Sequence, residues 1–151
     1  DKCLTSLNQL VRSWPGMWLV TTFGYFSIVQ KNSDRGAGTL TVRARLRKDL
    51  ELLKQKYLPT LGPIESRGGV DYPYRAKAPR EDLAKAFAQA IMDLTYSNFK
   101  AEVALQLGHR REDLYNDVWM ALRKLQTLEA SASLPAPAQP PVHSPKPDRV
   151  P

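Results

Sequence analysis

The sequence predicts an α+β domain: an antiparallel sheet of three to four strands in ββαββ order, helices on one face, and a C-terminal helical hairpin. Three observations lead there. Residues 17–47 read as two β-like arms around a polar, glycine-bearing link, and in the second arm apolar and polar side chains alternate strictly. From Arg47 onward the apolar period lengthens to that of a helix, interrupted by one glycine- and proline-bearing segment with a second β-like stretch. The chain of 151 residues, 42% hydrophobic and 25% charged, can bury an ordinary core without staples.

Residues 4–14 place Leu4, Leu7, Val11 and Trp14 at helical spacing, and Pro15 and Gly16 stop the pattern. The first sixteen residues are therefore expected to be a short helix or an N-terminal extension, ahead of one domain over 17–128. Trp18 to Val29, apolar on both faces and rich in aromatic and β-branched types, reads as one central strand. Gly24 in its middle marks a bulge or a close backbone approach. The link Lys31 to Gly38 is long and reads as mobile.

In the second arm Leu40, Val42, Ala44 and Leu46 share one face. Thr39, Thr41, Arg43, Arg45 and Arg47 fall on the other. A helix follows over about 47–57, with Leu46, Leu50, Leu53 and Tyr57 as its stripe, and Pro59, Gly62 and Pro63 end it. In VDYPYRAK, Val70, Tyr72, Tyr74 and Ala76 oppose Asp71, Arg75 and Lys77. Pro73 assigns that strand to an edge. Pro79 opens a helix with the stripe Leu83, Phe87, Ile91 and Leu94. Ser97 is the expected cap of the next helix, in which Phe99, Val103 and Leu107 repeat until Gly108. The last helix, about 111–128, carries Leu114, Val118, Leu122 and Leu125 as its core stripe. Residues 129–151, rich in alanine, serine and proline, have the composition of a disordered tail.

A formal charge of +7 favours an anionic partner, because a positive field attracts and retains polyanions. The single cysteine, Cys3, excludes an internal disulfide and a cysteine-based zinc site. No apolar run approaches the roughly 20 residues of a membrane helix, so a cytoplasmic protein without membrane contact is expected. There is no Walker glycine loop, GxGxxG, HExxH or GxSxG. No cofactor, metal site or catalytic residue is assigned.

The candidate binding residues are Arg43, Arg45, Arg47, Arg75 and Lys77, joined by Lys31 and Arg35 on the adjoining loop. Guanidinium groups match phosphate through a planar fork of donors, and neighbouring aromatic rings can stack bases. The competing reading is a solvated sheet face whose arginines pair with Glu65, Asp71 or helix carboxylates. For catalysis the candidates are His109 with Glu112 or Asp113, and Glu65 with Asp71, none at the spacing of a known motif. Thr95 to Lys100 reads either as an anion-holding helix start or as a cap with Phe99 as its anchor.

The segments MWLVTTFGYFSIVQK, TLTVRARLR, DYPYRA, YSNFK and LYNDVWMALRKL resemble a set of small bacterial proteins to which no function is attached. That resemblance implies a bacterial, cytosolic, single-domain protein and carries over no catalytic residue. The function expected is a non-enzymatic basic interaction protein that binds nucleic acid or a nucleoprotein complex. The alternatives are a small hydrolase or nuclease, and a protein-binding accessory factor or oligomer subunit.

Overall fold

The computed structural model describes residues 16–132, so the expected N-terminal helix and most of the expected tail lie outside the described residues. Among the described residues five strands and four α-helices follow one another: β1 Gly16–Thr21, β2 Gly24–Val29, β3 Thr39–Ala44, α1 Arg47–Lys56, β4 Glu65–Ser66, β5 Tyr74–Pro79, α2 Arg80–Met92, α3 Phe99–Leu107 and α4 His109–Ala132. The sheet is antiparallel throughout, in spatial order β1-β2-β3-β5-β4. The α+β class holds, but the strand count and the ββαββ order do not. The expected single arm from Trp18 to Val29 is two strands.

The turn that divides them is Thr22–Phe23, with Thr21 opposite Gly24. Thr21 Oγ1 donates to the Gly24 carbonyl at 2.7 Å and accepts from the Phe23 N–H at 3.2 Å, so one hydroxyl closes the loop. Phe23 drops into the core, its ring centroid 5.0 Å from Tyr57 and 5.8 Å from Phe26. Gly24 is a close approach: a Cβ there would stand 2.6 Å from Phe26 Cζ and 2.8 Å from Asp49 Cβ. β3 is thus the central strand, β2 lies inside the sheet beside it, and β1 is an edge.

The core forms on one face only. Phe26, Ile28, Val42, Ala44, Ala76 and Ala78 point towards Leu50 and Leu53 of α1 and Leu83 and Ala86 of α2. The second-arm alternation is as expected from Thr39 to Ala44, but the strand ends there, Arg45 lies between elements and Arg47 begins α1. Leu46, expected in the α1 stripe, is exposed at its N-cap position. β5 is not an edge strand. It lies between β3 and the two-residue β4, and Pro73 precedes it.

The stripe of α2 is also displaced: Leu83, Ala86, Phe87 and Ala90 face the core, whereas Ile91 and Leu94 are exposed. α3 is capped by Asn98, whose Oδ1 accepts from the Ala101 N–H at 3.2 Å, rather than by Ser97. Gly108 ends it at φ +89°, a conformation that favours glycine. Phe99 stacks on Tyr115 at 6.0 Å, which pairs α3 with the start of α4. The chain divides into two compact units, the first ending at Asn116 and the second beginning at Asp117. In α4 the expected core residues Leu114, Val118, Leu122 and Leu125 are all exposed, and Tyr115 is the buried residue. No helix among the described residues is long and apolar enough to cross a membrane.

Candidate functional site

The sheet face opposite the core carries the candidate residues, because strand alternation sends Arg43, Arg75 and Lys77 away from α1 and α2. Register aligns Trp18, Ser27, Arg43, Arg75 and Glu65 in one row across the five strands, and Val29, Thr41 and Lys77 in the next. Arg43 and Arg75 are direct cross-strand neighbours, a placement that like charges ordinarily disfavour. Tyr72 holds both. Its ring lies under the Arg43 guanidinium at 4.6 Å and its carbonyl accepts from Arg75 Nη2 at 2.9 Å.

Arg43 Nη2 also donates to Ser27 Oγ at 2.7 Å. The Nε groups of Arg43 and Arg75 are buried without a hydrogen-bond partner among the described residues. Each guanidinium therefore has one buried donor, its Nε, that no described residue accepts from. Arg45 reaches the same ring from 5.3 Å and pairs with Asp71 at 2.7 Å, both side chains well exposed. An exposed pair of that kind contributes little and exchanges readily.

Aromatic groups border the arginines. Tyr25 shares the face, its hydroxyl 3.0 Å from that of Tyr72, and burial together with this bond pushes the Tyr25 phenol well above its ordinary value. Trp18 meets Tyr25 edge-on at 6.4 Å and is 70% exposed. One flank of the face is thus an open indole, and the middle is guanidinium on phenol.

The 31–38 link, read from sequence as mobile, is anchored. Buried Asp34 accepts from the Lys31 N–H at 2.8 Å, Thr39 Oγ1 at 2.8 Å and Thr41 Oγ1 at 2.8 Å. Burial opposes ionisation of Asp34, but these donors and Lys77 outweigh it and hold the carboxyl below its ordinary value. Lys77 Nζ lies 3.5 Å from Asp34 and donates to Ser33 Oγ at 2.8 Å.

Of the seven expected residues, Arg43, Arg75 and Lys77 come together on the strands, with Arg45 beside them. Lys31 and Arg35 are exposed on the link. Arg47 leaves the group, its Nε bonded to Glu51 at 3.0 Å along α1. The sequence offers Trp18, Tyr25 and Tyr72 as an exposed apolar patch for a protein partner; the structure sets them beside the arginines instead, with Tyr72 buried. The alternation of Trp18 and Tyr25 with Leu19 and Phe26 was the available signal for the first two, concealed because β1 and β2 were read as one strand.

Among the described residues the catalytic candidates do not converge in a pocket. His109 Nδ1 meets Glu112 at 2.9 Å, but the histidine side chain is 88% exposed on the first turn of α4. Glu65 and Asp71 are exposed, Asp71 being paired with Arg45. Among the described residues no three metal-ligating side chains cluster. A shallow groove of about 360 Å³ between the end of α1 and α2, lined by Tyr57, Thr60, Asp82 and Lys85, holds none of these candidates. At the 95–100 segment Asn98 serves as the cap, and Lys100 Nζ donates to Asn116 Oδ1 at 2.6 Å. Comparison with protein-family models, curated proteins and solved structures gives no match for this chain.

Proposed function

We propose that the open sheet face binds single-stranded nucleic acid, with Arg43, Arg45, Arg75 and Lys77 on phosphates and Trp18 and Tyr25 as the stacking surface for bases. The observation that supports it is one cross-strand row in which an exposed indole, a serine and two neighbouring arginines follow one another. Cationic donors with aromatic planes on a sheet are the means by which single strands are held without base-specific bonds. A duplex presents no free base faces to an indole. The chain's formal +7 charge supports the same partner class by steering.

The test is fluorescence anisotropy with labelled RNA and DNA 12-mers, single-stranded and duplex, at low and physiological salt. Single strands are expected to bind more tightly than duplex. Trp18→Ala should weaken binding by roughly 5- to 150-fold, corresponding to ~1–3 kcal/mol for one stacked base. Arg75→Gln should lower the salt slope by about one. Absence of binding at low salt, or unchanged binding in both variants, overturns the proposal.

A further inference from the structure

The cations of the sheet face are not equivalent, because most of those on the strands already have a carboxylate. Arg45 is paired with Asp71, Arg47 with Glu51 and Lys77 with Asp34. Arg43 and Arg75 form no ion pair among the described residues. They are also half-buried, whereas the other five candidate cations are exposed. A positive charge partly withdrawn from water attracts an anion more strongly than one in solvent. The uncompensated charge of the face is therefore concentrated at one point in its middle.

That point is built before any ligand arrives. Arg43 and Arg75 are directly opposed on β3 and β5, so their side chains root about 5 Å apart. Both guanidiniums meet at Tyr72, Arg43 over its ring at 4.6 Å and Arg75 on its carbonyl at 2.9 Å, and Ser27 Oγ holds Arg43 from β2 at 2.7 Å. Two forks fixed against one residue suit a single phosphate better than a line of them.

We infer that Arg43 and Arg75 form a subsite for a terminal phosphate monoester, so that the face holds single strands by a phosphorylated end. The inference rests on the nucleic-acid reading above and adds which part of the strand is held. An internal phosphodiester brings one negative charge and two free oxygens. A monoester brings about 1.5 to 2 charges at neutral pH and three strong acceptor oxygens. Two adjacent guanidinium forks match the monoester in charge and in donors. The row that contains them also supports an end. Beyond Arg75 the next residue across is Glu65, exposed on the two-residue edge strand β4, and its carboxylate repels a further phosphate. In the other direction come Ser27 and then Trp18, two strands from Arg43 or roughly 10 Å. A strand anchored by its terminal phosphate thus runs from the arginines towards the indole, and not past Glu65.

The test compares internally labelled DNA 12-mers of one sequence that carry a 5′-phosphate, a 3′-phosphate or hydroxyls at both ends, by fluorescence anisotropy at neutral pH. A terminal phosphate should tighten binding on the order of tenfold over the hydroxyl-ended strand. The end at which it does so gives the polarity of the bound strand. Arg43→Lys with Arg75→Lys keeps the net charge and removes both forks, and the ratio of affinities should fall to about two or less. Arg75→Lys alone should lower it in the same direction. Arg47→Gln removes a cation outside the face and should leave the ratio as in the parent. Equal affinity for phosphorylated and hydroxyl-ended strands, or a preference that survives both lysine changes, overturns the inference and leaves the proposed function standing. Absence of binding by every strand at low salt overturns both.

Discussion

Asp34 and Asp49 are two carboxylates taken out of water at opposite sides of the sheet, and each is filled by donors. Asp34→Asn would aim an amide N–H₂ at groups that already donate. It is expected to cost about 2–3 kcal/mol of stability, measured by urea denaturation at neutral pH. The folded value of Asp34 lies below the ordinary one of 3.8, so its stabilisation is present above that pH and lost as pH falls through the lower folded value. The parent's loss of stability in acid should accordingly be shallower in the variant. Asp49 accepts the Tyr25 N–H at 2.9 Å and a two-point clamp from Arg111 at 2.9 and 3.0 Å. Arg111→Leu strands that charge in the interior, and a loss of roughly 3–5 kcal/mol should appear in the same denaturation assay. Gly24→Ala has no open space to enter; a cost of about 1–3 kcal/mol is expected from overpacking against Phe26 and Asp49.

At the scale of elements, the α1 span and the two-sided character of β3 and β5 were legible because period carries them. Tight turns without glycine–asparagine chemistry were not. Thr22–Phe23 reads as strand because both residues are β-formers and Phe23 is apolar, so only the hydroxyl geometry of Thr21 reveals the reversal. Helical leucine spacing shows that a helix has an apolar face but not what covers it, hence the misplacement of Leu114, Leu122 and Leu125 in the core. Ser97 and Asn98 are both good caps, and the entry of Phe99 towards Tyr115 decides between them. Asn98→Ala should lower the melting temperature through a loss of about 1 kcal/mol, the usual worth of a cap.

For the whole molecule, the legible part of the candidate site was its charge and the pairing of Arg43 with the Arg75 strand. The illegible part was contact between distant segments. Tyr72 beneath Arg43, Asp71 on Arg45 and Asp49 on Arg111 join residues 26 to 62 positions apart, with nothing local to announce them. Arg47 shows the reverse error: it continues the strand's period in sequence, while the backbone has already turned into α1.

The spatial order of the strands also determines how the chain reaches this state. β1, β2 and β3 are neighbours in sequence and in the sheet, so the meander closes only short loops, whereas β3 must wait for β5 across α1 and β4. Loop-closure entropy then separates an early meander from a late docking of β5 with α2. In stopped-flow chevrons, Val42→Ala should slow refolding, and Ala78→Gly should mainly speed unfolding. Equal partitioning of the two would mean that the sheet condenses as one nucleus. With the expected result, the row that brings Arg43 beside Arg75 is among the last parts of the sheet to form, and the face proposed to bind nucleic acid exists only once folding is complete.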